Sequence, residues 1–342
     1  MSVETATKSI ALIKRVLSQS GGPTGPFMPA GLGTRSAPPP PGVEPLTLTA
    51  LSGVEDLDRD ELVLTALAGT PVDRVAQEAA AVGLVLCPLI PLGTGGTLGG
   101  LYASGSESPC APVEGHLRDA VLGVEGLTGS GAPIKSGGRV VKNVTGYDLT
   151  RFLCGSRGAL AVITRLHWRL RLLPTDSIEV VIDCPATDVG ARLRALRALP
   201  DPTAVRIDLN AGRTRVRALI EGGRPSASAR AEQLKRGLGP GAEILSVPDE
   251  QLAPWLAPPA GTREHASVRG WIERIEELGT QSDGVATVFP YIGVGTTSAP
   301  PASAPLDAIP FGGEITRRVR SAWDPEGRLW DPHRPVPREV LS

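Results

Sequence analysis

Apolar residues recur with two different periods along the first half of the chain. Near the N terminus they stand three or four positions apart, at Ile10, Ile13, Val16 and Leu17. This spacing predicts an amphipathic helix over residues 4–18. Residues 62–68 and 84–87 are short apolar runs on either side of a helical pattern. They predict a β-α-β unit whose two strands run in the same direction.

Two further segments of this half have strand patterns. Residues 120–128 and 132–135 flank Gly129-Ser130-Gly131 and predict a hairpin. Residues 159–173 predict a long strand in which basic and apolar side chains alternate. The basic residues are Arg165, His167, Arg169 and Arg171. We interpret this basic face as solvated, and contact with an acidic partner is the alternative.

After Pro174 the predicted elements follow a different order. The strands are at residues 178–184, 204–209, 214–221 and 243–247, and the helices are at 188–199 and 226–237. The resulting order, β-α-β-β-α-β, is that of the ferredoxin-like motif. Additional elements are predicted as helices at residues 251–256, 267–278 and 314–323 and as a strand at 285–292.

The composition narrows the classes of function. A chain of 342 residues is longer than one ordinary core and predicts two domains. The net charge of −1 argues against a nucleic-acid partner, which would require a basic surface. The four cysteines and four histidines are scattered without the spacing of a zinc or iron–sulfur site, so no metal site is predicted.

Localisation is also constrained by the sequence pattern. The chain contains neither a signal-peptide pattern nor an apolar run long enough to span a bilayer. A disulfide framework is not expected in a chain of this size, which favours reduced thiols. We therefore expect a cytoplasmic protein without a transmembrane segment.

Glycine-rich motifs carry the functional signal. They are Gly31-Leu32-Gly33-Thr34, Thr97-Leu98-Gly99-Gly100, Arg118-Asp119 before Val121-Leu122-Gly123-Val124, Lys142-Asn143-Val144-Thr145-Gly146-Tyr147-Asp148 and Gly155-Ser156-Arg157-Gly158. Glycine and other small residues allow backbone N–H groups to approach a pyrophosphate closely. Each motif alone is also compatible with a turn, a surface loop, an ion pair at a strand entry or a capped turn. Neither the Rossmann fingerprint nor the Walker P-loop is present.

In this order and spacing, the motifs resemble the flavin-binding half of the vanillyl-alcohol-oxidase superfamily, which has the PCMH-type FAD-binding fold. Within that superfamily the chain is most similar to the E subunits of bacterial glycolate oxidases. The resemblance is close over residues 60–174, looser over 25–60, and returns at 323–334. It implies an α+β fold. Residues 1–175 would form a PCMH-type FAD-binding domain of two α/β subdomains, 176–310 a cap with a ferredoxin-like core, and 311–342 a segment that returns to the FAD domain.

The resemblance also implies a cofactor site. Residues 31–34 (the first loop) and 97–100 (the second loop), with Ser104, match the family's phosphate-binding loops, and Arg118-Asp119 would help to hold the second loop. Residues 155–158 (the third loop) and the strand after it would lie along the adenine half and the pyrophosphate of a non-covalently bound FAD. The predicted cofactor-binding residues are Gly31, Gly33, Thr34, Thr97, Leu98, Gly99, Gly100, Ser104, Arg118, Asp119, Gly155, Ser156, Gly158, Ala161 and Ile163.

The implied function is that of an FAD-binding subunit of a glycolate oxidase-like 2-hydroxy acid dehydrogenase. Its partners would be a larger catalytic flavoprotein subunit and an iron–sulfur subunit, and its substrate a small 2-hydroxy acid. Such partners would also allow peripheral attachment at the inner membrane. The alternative is a non-catalytic assembly subunit with weak or lost flavin binding, and a standalone flavin oxidase is the least favoured interpretation.

Three departures from the family pattern bear on catalysis. Residues 106–113 lack the usual arginines and aromatic-Gly pair, residues 288–297 contain neither histidine nor arginine, and the tail reads Asp331-Pro332-His333-Arg334 instead of Asn-Pro-Gly-Arg. Oxidation of a 2-hydroxy acid requires a base for the hydroxyl proton and a cation for the carboxylate. No catalytic residue is therefore assigned, and we expect little oxidation of glycolate by the isolated chain.

Overall fold

The computed structural model describes residues 3–18, 26–36, 38–90, 93, 95–139, 147–199, 202–257, 263–265, 267–281, 284–291, 294–297 and 314–331. The chain divides into two compact units. Unit 1 comprises residues 1–106, 117–172 and 310–342, and unit 2 comprises 107–116 and 173–309. Residues 107–116, which the sequence interpretation assigned to the FAD domain, thus group with unit 2.

Helices and strands are mixed in both units, which confirms the α+β class. The helices are α1 (Val3–Ser18), α2 (Val72–Ala80), α3 (Leu98–Ser104), α4 (Ala111–Glu114), α5 (Leu117–Ala120), α6 (Leu149–Leu153), α7 (Val189–Arg197), α8 (Arg224–Leu238), α9 (Asp249–Leu256), α10 (Val268–Gly279) and α11 (Glu314–Trp323). The strands are β1 (Phe27–Ala30), β2 (Glu44–Thr47), β3 (Val54–Asp58), β4 (Val63–Leu67), β5 (Leu84–Leu86), β6 (Val121–Leu127), β7 (Pro133–Gly137), β8 (Val162–Leu172), β9 (Asp176–Pro185), β10 (Ala204–Asn210), β11 (Arg213–Gly222), β12 (Glu243–Ser246), β13 (Arg263–His265), β14 (Val285–Phe289) and β15 (Val294–Thr297). None of the described helices combines the length and the hydropathy needed to cross a bilayer.

The described residues of unit 1 form two sheets. In the smaller sheet, β1 and β2 pair in parallel. In the larger sheet the strand order is β3-β4-β8-β6-β7, and β5 pairs with the end of β8. Strands β4 and β5 both pair antiparallel with β8 and therefore point the same way, as the β-α-β pattern predicted. Strands β6 and β7 form the predicted hairpin.

The core of unit 1 forms because α2 and α3 bury one face against the larger sheet. The largest buried side chains there are Trp168 on β8 and Tyr102 on α3, each fully buried. Burial of each large apolar side chain contributes about 1.5–3 kcal/mol. A second cluster joins α1 to β1 and to Leu329, which is fully buried and comes from the C-terminal segment. The two ends of the described chain therefore share one core.

Strand β8 has the predicted alternation, but its basic face is not solvated, so that interpretation was wrong. Arg165 forms ion pairs with Glu55 on β3 and Glu125 on β6. His167 is only 7% exposed, and its Nδ1 atom lies 2.9 Å from the Thr65 hydroxyl. The acidic groups that face these basic side chains come from the same sheet.

Unit 2 is built on one antiparallel sheet with the strand order β12-β9-β11-β10-β14-β15-β13. The first four strands, numbered by their order within the motif, stand as 4-1-3-2, and α7 and α8 occupy the two helix positions. This arrangement confirms the ferredoxin-like motif. The strand predicted at residues 285–292 is β14, which ends at Phe289 and pairs antiparallel with the following strand β15. His265 lies in β13.

Candidate cofactor site

A cavity of about 240 Å³ lies within unit 1. This volume is slightly below the range of about 300–1,000 Å³ that is usual for small-molecule pockets, so the cavity accommodates part of a dinucleotide. Ten of the predicted cofactor-binding residues line it: Gly31, Gly33, Thr34, Thr97, Gly99, Gly100, Ser104, Gly158, Ala161 and Ile163. The structure therefore brings together three loops that are widely separated in sequence.

The three loops can meet because their glycines lack a side chain. A Cβ atom on Gly31 would overlap the hydroxyl of Thr97 and lie 2.9 Å from its Cγ2. A Cβ atom on Gly99 would lie 2.7 Å from Cβ of Ala68, at the end of β4. A Cβ atom on Gly158 would lie 2.9 Å from the ring of Pro29 in β1. These separations are shorter than carbon contacts normally allow, so the cavity walls require glycine at all three positions.

The backbone amides of the second loop are already used within the protein. The N–H groups of Leu98, Gly99 and Gly100 donate to the Thr70 carbonyl, the Ala68 carbonyl and the Thr97 hydroxyl, at 2.9, 2.7 and 3.1 Å. The second loop thus contributes close backbone packing to the cavity wall, and these three amides are not available to a ligand.

The first loop differs in this respect. The amides of Leu32, Gly33 and Thr34 donate to no described residue, and a Cβ atom on Gly33 would enter open space. Gly33 has a φ of +70°, a left-handed conformation that glycine adopts without steric cost. Consecutive amides in a turn form a concavity that binds anions. The first loop is therefore the part of the cavity where backbone donors are available.

The third loop adds a residue that the sequence interpretation passed over. Arg157, the variable position of its Gly-Ser-x-Gly motif, lines the cavity and is exposed. Its guanidinium makes no hydrogen bond or ion pair with a described residue. The sequence did contain a signal that points to Arg157: a long cationic side chain stands among small residues in a phosphate-loop motif.

Five of the predicted cofactor-binding residues do not line the cavity. Leu98 is fully buried beneath it, and Ser156 is 2% exposed with a hydroxyl that has no partner among the described residues. Gly155 donates its amide to the Tyr102 carbonyl at 3.1 Å. Arg118 and Asp119 lie in α5, where Asp119 forms an ion pair with Arg151 at 2.8 Å. The geometry of Asp119 thus fits the interpretation as an ion pair at a strand entry.

The C-terminal segment also reaches the cavity, through Trp330. Its backbone continues the smaller sheet, because the Trp330 amide donates to the Phe27 carbonyl at 2.8 Å. The turn before it depends on Asp324, which is 4% exposed and accepts hydrogen bonds from the amides of Arg328 and Leu329 at 2.6 and 2.9 Å. The resemblance placed residues 323–334 with the FAD domain but did not single out Trp330, which lies more than 150 residues from the third loop.

Two predicted motifs fall largely outside the described residues. Of residues 142–148, only Tyr147 and Asp148 are described; Tyr147 is 93% exposed, and Asp148 caps α6 by accepting from the Arg151 amide at 3.0 Å. Of the tail motif, only Asp331 is described, and it pairs with Arg320 at 2.7 Å.

The chemistry of the lining limits what the cavity can do. Two of the residues lining it, Arg35 and Arg157, are cationic, and none of those residues is Asp, Glu, His, Lys, Cys or Tyr. Tyr102 lies nearby, but burial raises its pKa far above the ordinary value, and its hydroxyl donates to the Thr150 carbonyl at 2.6 Å. The cavity can therefore bind an anionic group beside an apolar one, but it offers no proton-transfer group of its own.

Comparison with known proteins agrees with this geometry. Residues 8–137 match the family described as FAD binding domain. This part of the chain thus resembles an FAD binding domain, FAD is its cofactor, and the predicted PCMH-type fold is confirmed. A crystal structure of alkyldihydroxyacetonephosphate synthase superposes with a TM-score of 0.69 over 98% of this chain and 76% of that chain, at 14% identity, which supports the fold alone.

Two curated relatives indicate the class of enzyme to which the chain is similar. Glycolate oxidase subunit GlcE of Escherichia coli (strain K12) is 29% identical over 280 residues, or 74% of this chain and 78% of that protein. The mitochondrial D-lactate dehydrogenase [cytochrome] of Arabidopsis thaliana is 32% identical over 122 residues, or 36% of this chain and 21% of that protein. Together with the FAD binding domain, these relatives place the chain among the FAD-dependent oxidoreductases.

Proposed function

We propose that the chain is the FAD-binding subunit of a glycolate oxidase-like 2-hydroxy acid dehydrogenase complex. The observation that carries this proposal is the cavity in unit 1, where three glycine-dependent loops and two arginines converge within a chain similar to GlcE over most of its length. Electrons would pass from a small 2-hydroxy acid through the flavin to an acceptor other than oxygen.

The residues present fit FAD. The free amides of the first loop and the arginines suit its pyrophosphate, since guanidinium groups and turn amides are both good phosphate donors. Apolar contacts to the rest of the cofactor would come from Met28, Leu48, Ile163 and Trp330. When bound, FAD would accept a hydride from the substrate, and this hydride carries both of the electrons that the oxidation releases. The chain's own residues hold the cofactor and exclude water from it.

The proposal includes two partners, a larger catalytic flavoprotein subunit and an iron–sulfur subunit. The lining of the cavity supports a need for a partner, because none of the described residues that line it has a side chain able to take the hydroxyl proton of a 2-hydroxy acid. The two histidines whose side chains the structure describes, His116 and His167, do not fill this role. His167 is buried in the larger sheet beside Thr65, and His116 belongs to unit 2, where it pairs with Glu107 at 3.3 Å.

The first test is cofactor content. The purified chain is expected to carry flavin absorbance, and chromatography of the released cofactor should identify FAD. Failure of the apoprotein to take up FAD would contradict the proposal and favour the alternative, an assembly subunit that has lost flavin binding. The absence of the family's arginines from residues 106–113 is the observation that keeps this alternative open.

The second test is turnover with glycolate and D-lactate and an artificial dye acceptor. We expect little activity from the FAD-loaded single chain and substantial activity once the larger flavoprotein and iron–sulfur subunits are added. Equal turnover without partners would show that this chain contains a complete substrate site.

A further inference from the structure

We propose that Arg157 binds the pyrophosphate of FAD and that the third loop holds it in a strained backbone conformation for this purpose. The inference rests on the proposed binding of FAD in this cavity. It assigns a specific role to a side chain that occupies the variable position of its motif.

The backbone of Arg157 is unusual. Its φ is +52°, in the left-handed region that non-glycine residues seldom adopt because Cβ approaches the backbone. It stands between Gly155 and Gly158, whose φ values are +82° and +83°. The conformation is held by the Arg157 amide, which donates to the Ala103 carbonyl at 2.8 Å. Strain of this kind is retained where the surrounding structure imposes it, commonly at ligand sites.

The Arg157 guanidinium donates to no described residue, whereas one nitrogen of the Arg35 guanidinium is engaged in hydrogen bonds. The Arg35 guanidinium donates to the Gly95 carbonyl at 2.8 Å and to the Thr34 hydroxyl at 3.2 Å, so it links the first loop to the segment before the second loop. Arg157 has no such contact with a described residue, and none of the described residues that line the cavity is acidic. A pyrophosphate diester carries two negative charges, and the planar guanidinium matches its oxygens with two parallel donors.

The position of Arg157 identifies the pyrophosphate as the group it contacts. The residue after it, Gly158, packs against Pro29, which lies two positions before Gly31 in the first loop. Arg157 is therefore next to the loop whose amides at Leu32, Gly33 and Thr34 donate to no described residue. Amide donors and a cation at one place suit the most highly charged part of FAD better than either ring system.

The experiment is titration of the apoprotein with FAD and with riboflavin, which lacks phosphate. Arg157→Gln should weaken FAD binding about 10- to 100-fold, as loss of a charge-assisted hydrogen bond predicts. It should also flatten the dependence of the FAD Kd on salt and leave riboflavin binding unchanged. Arg157→Lys should recover part of the affinity. Arg59→Gln, which removes an exposed arginine of unit 1 away from the cavity, is the matched control and should behave as wild type.

Arg157→Gly separates binding from folding. Glycine relieves the left-handed strain, so the apoprotein should melt at or above the wild-type temperature while FAD binding falls as in Arg157→Gln. Unchanged FAD affinity and salt dependence in the Gln and Gly variants would overturn the inference, as would an equal loss of riboflavin binding. If the wild-type apoprotein takes up no FAD at all, the proposed function itself fails and this inference fails with it.

Discussion

Gly31 and Thr97 are in direct contact, although 65 residues separate them in the sequence. A Cβ atom on residue 31 would overlap the Thr97 hydroxyl, which also caps α3 by accepting from the Gly100 amide at 3.1 Å. The first loop thus rests on the residue that begins the second loop. A substitution at either position should therefore alter the structure around the other residue and the shape of the cavity between them.

This contact predicts coupling between the two residues. Gly31→Ala should weaken FAD binding by about 1.4 kcal/mol or more, a factor of ten, because the new methyl group displaces the first loop. Thr97→Ala should cost about 1 kcal/mol of stability through loss of the cap. The double variant should bind FAD better than the sum of the two changes predicts, because removal of the hydroxyl makes room for the methyl group. Strict additivity in a double-mutant cycle would show that the loops are not in contact.

Gly99→Val should abolish retention of FAD. A Cβ atom there would lie 2.7 Å from Cβ of Ala68 and 2.9 Å from its carbonyl oxygen, so α3 must move away from β4 and the cavity wall is lost. Flavin absorbance after purification measures the effect. Gly138→Val is the control, because a Cβ on Gly138 meets nothing within 4 Å. A Gly99 variant that purifies fully loaded would show that the cofactor does not depend on this wall.

Asp324→Ala should destabilise unit 1 by about 2–3 kcal/mol, because two amides lose a charged acceptor in a buried turn. The affected amides are those of Arg328 and Leu329, which position the C-terminal segment and Trp330. We therefore expect weaker FAD binding together with a lower midpoint of urea unfolding. Glu326→Ala, in the same turn but with an exposed carboxylate, is the control. Loss of stability without any change in FAD affinity would mean that Trp330 does not contact the cofactor.

The stability of unit 1 should fall in acid because of Glu125. His167, Lys135 and Arg165 hold the pKa of this carboxyl well below its ordinary value. The unfolded chain, with a glutamate pKa of about 4.3, then binds more protons than the folded chain in the acid range. The stabilisation is present above that pKa and is lost as the pH falls toward the lower folded value.

Urea unfolding at a series of pH values checks this prediction. The free energy of unfolding of Glu125→Gln should be lower than that of the wild type near neutral pH, and the difference should shrink as the pH falls below about 4. Glu78→Gln, which removes a helix-surface pair with Arg74, is the control and should show little difference at any pH. A constant difference between Glu125→Gln and the wild type across the acid range would contradict the depressed pKa.

Sequence alone determined the order and type of most elements. The helical spacing of residues 4–18, the hairpin around Gly129-Ser130-Gly131 and the β-α-β-β-α-β order after Pro174 all reappear in the structure. These features depend on local chemistry, namely hydrophobic period and turn residues, and local chemistry can be read along the chain. The residues predicted from the glycine motifs likewise supply half of the residues that line the cavity, because only glycine permits such close approach of backbones.

Only the tertiary structure decided which side chains share a surface. It paired Arg165 with Glu55 and Glu125, where the sequence pattern suggested a solvated face. It brought Trp330 and Arg157 to the cavity and left Arg118 and Asp119 outside it. The physical reason is that these relationships depend on packing between segments distant in sequence, and neither periodicity nor a motif encodes the distance between two such segments.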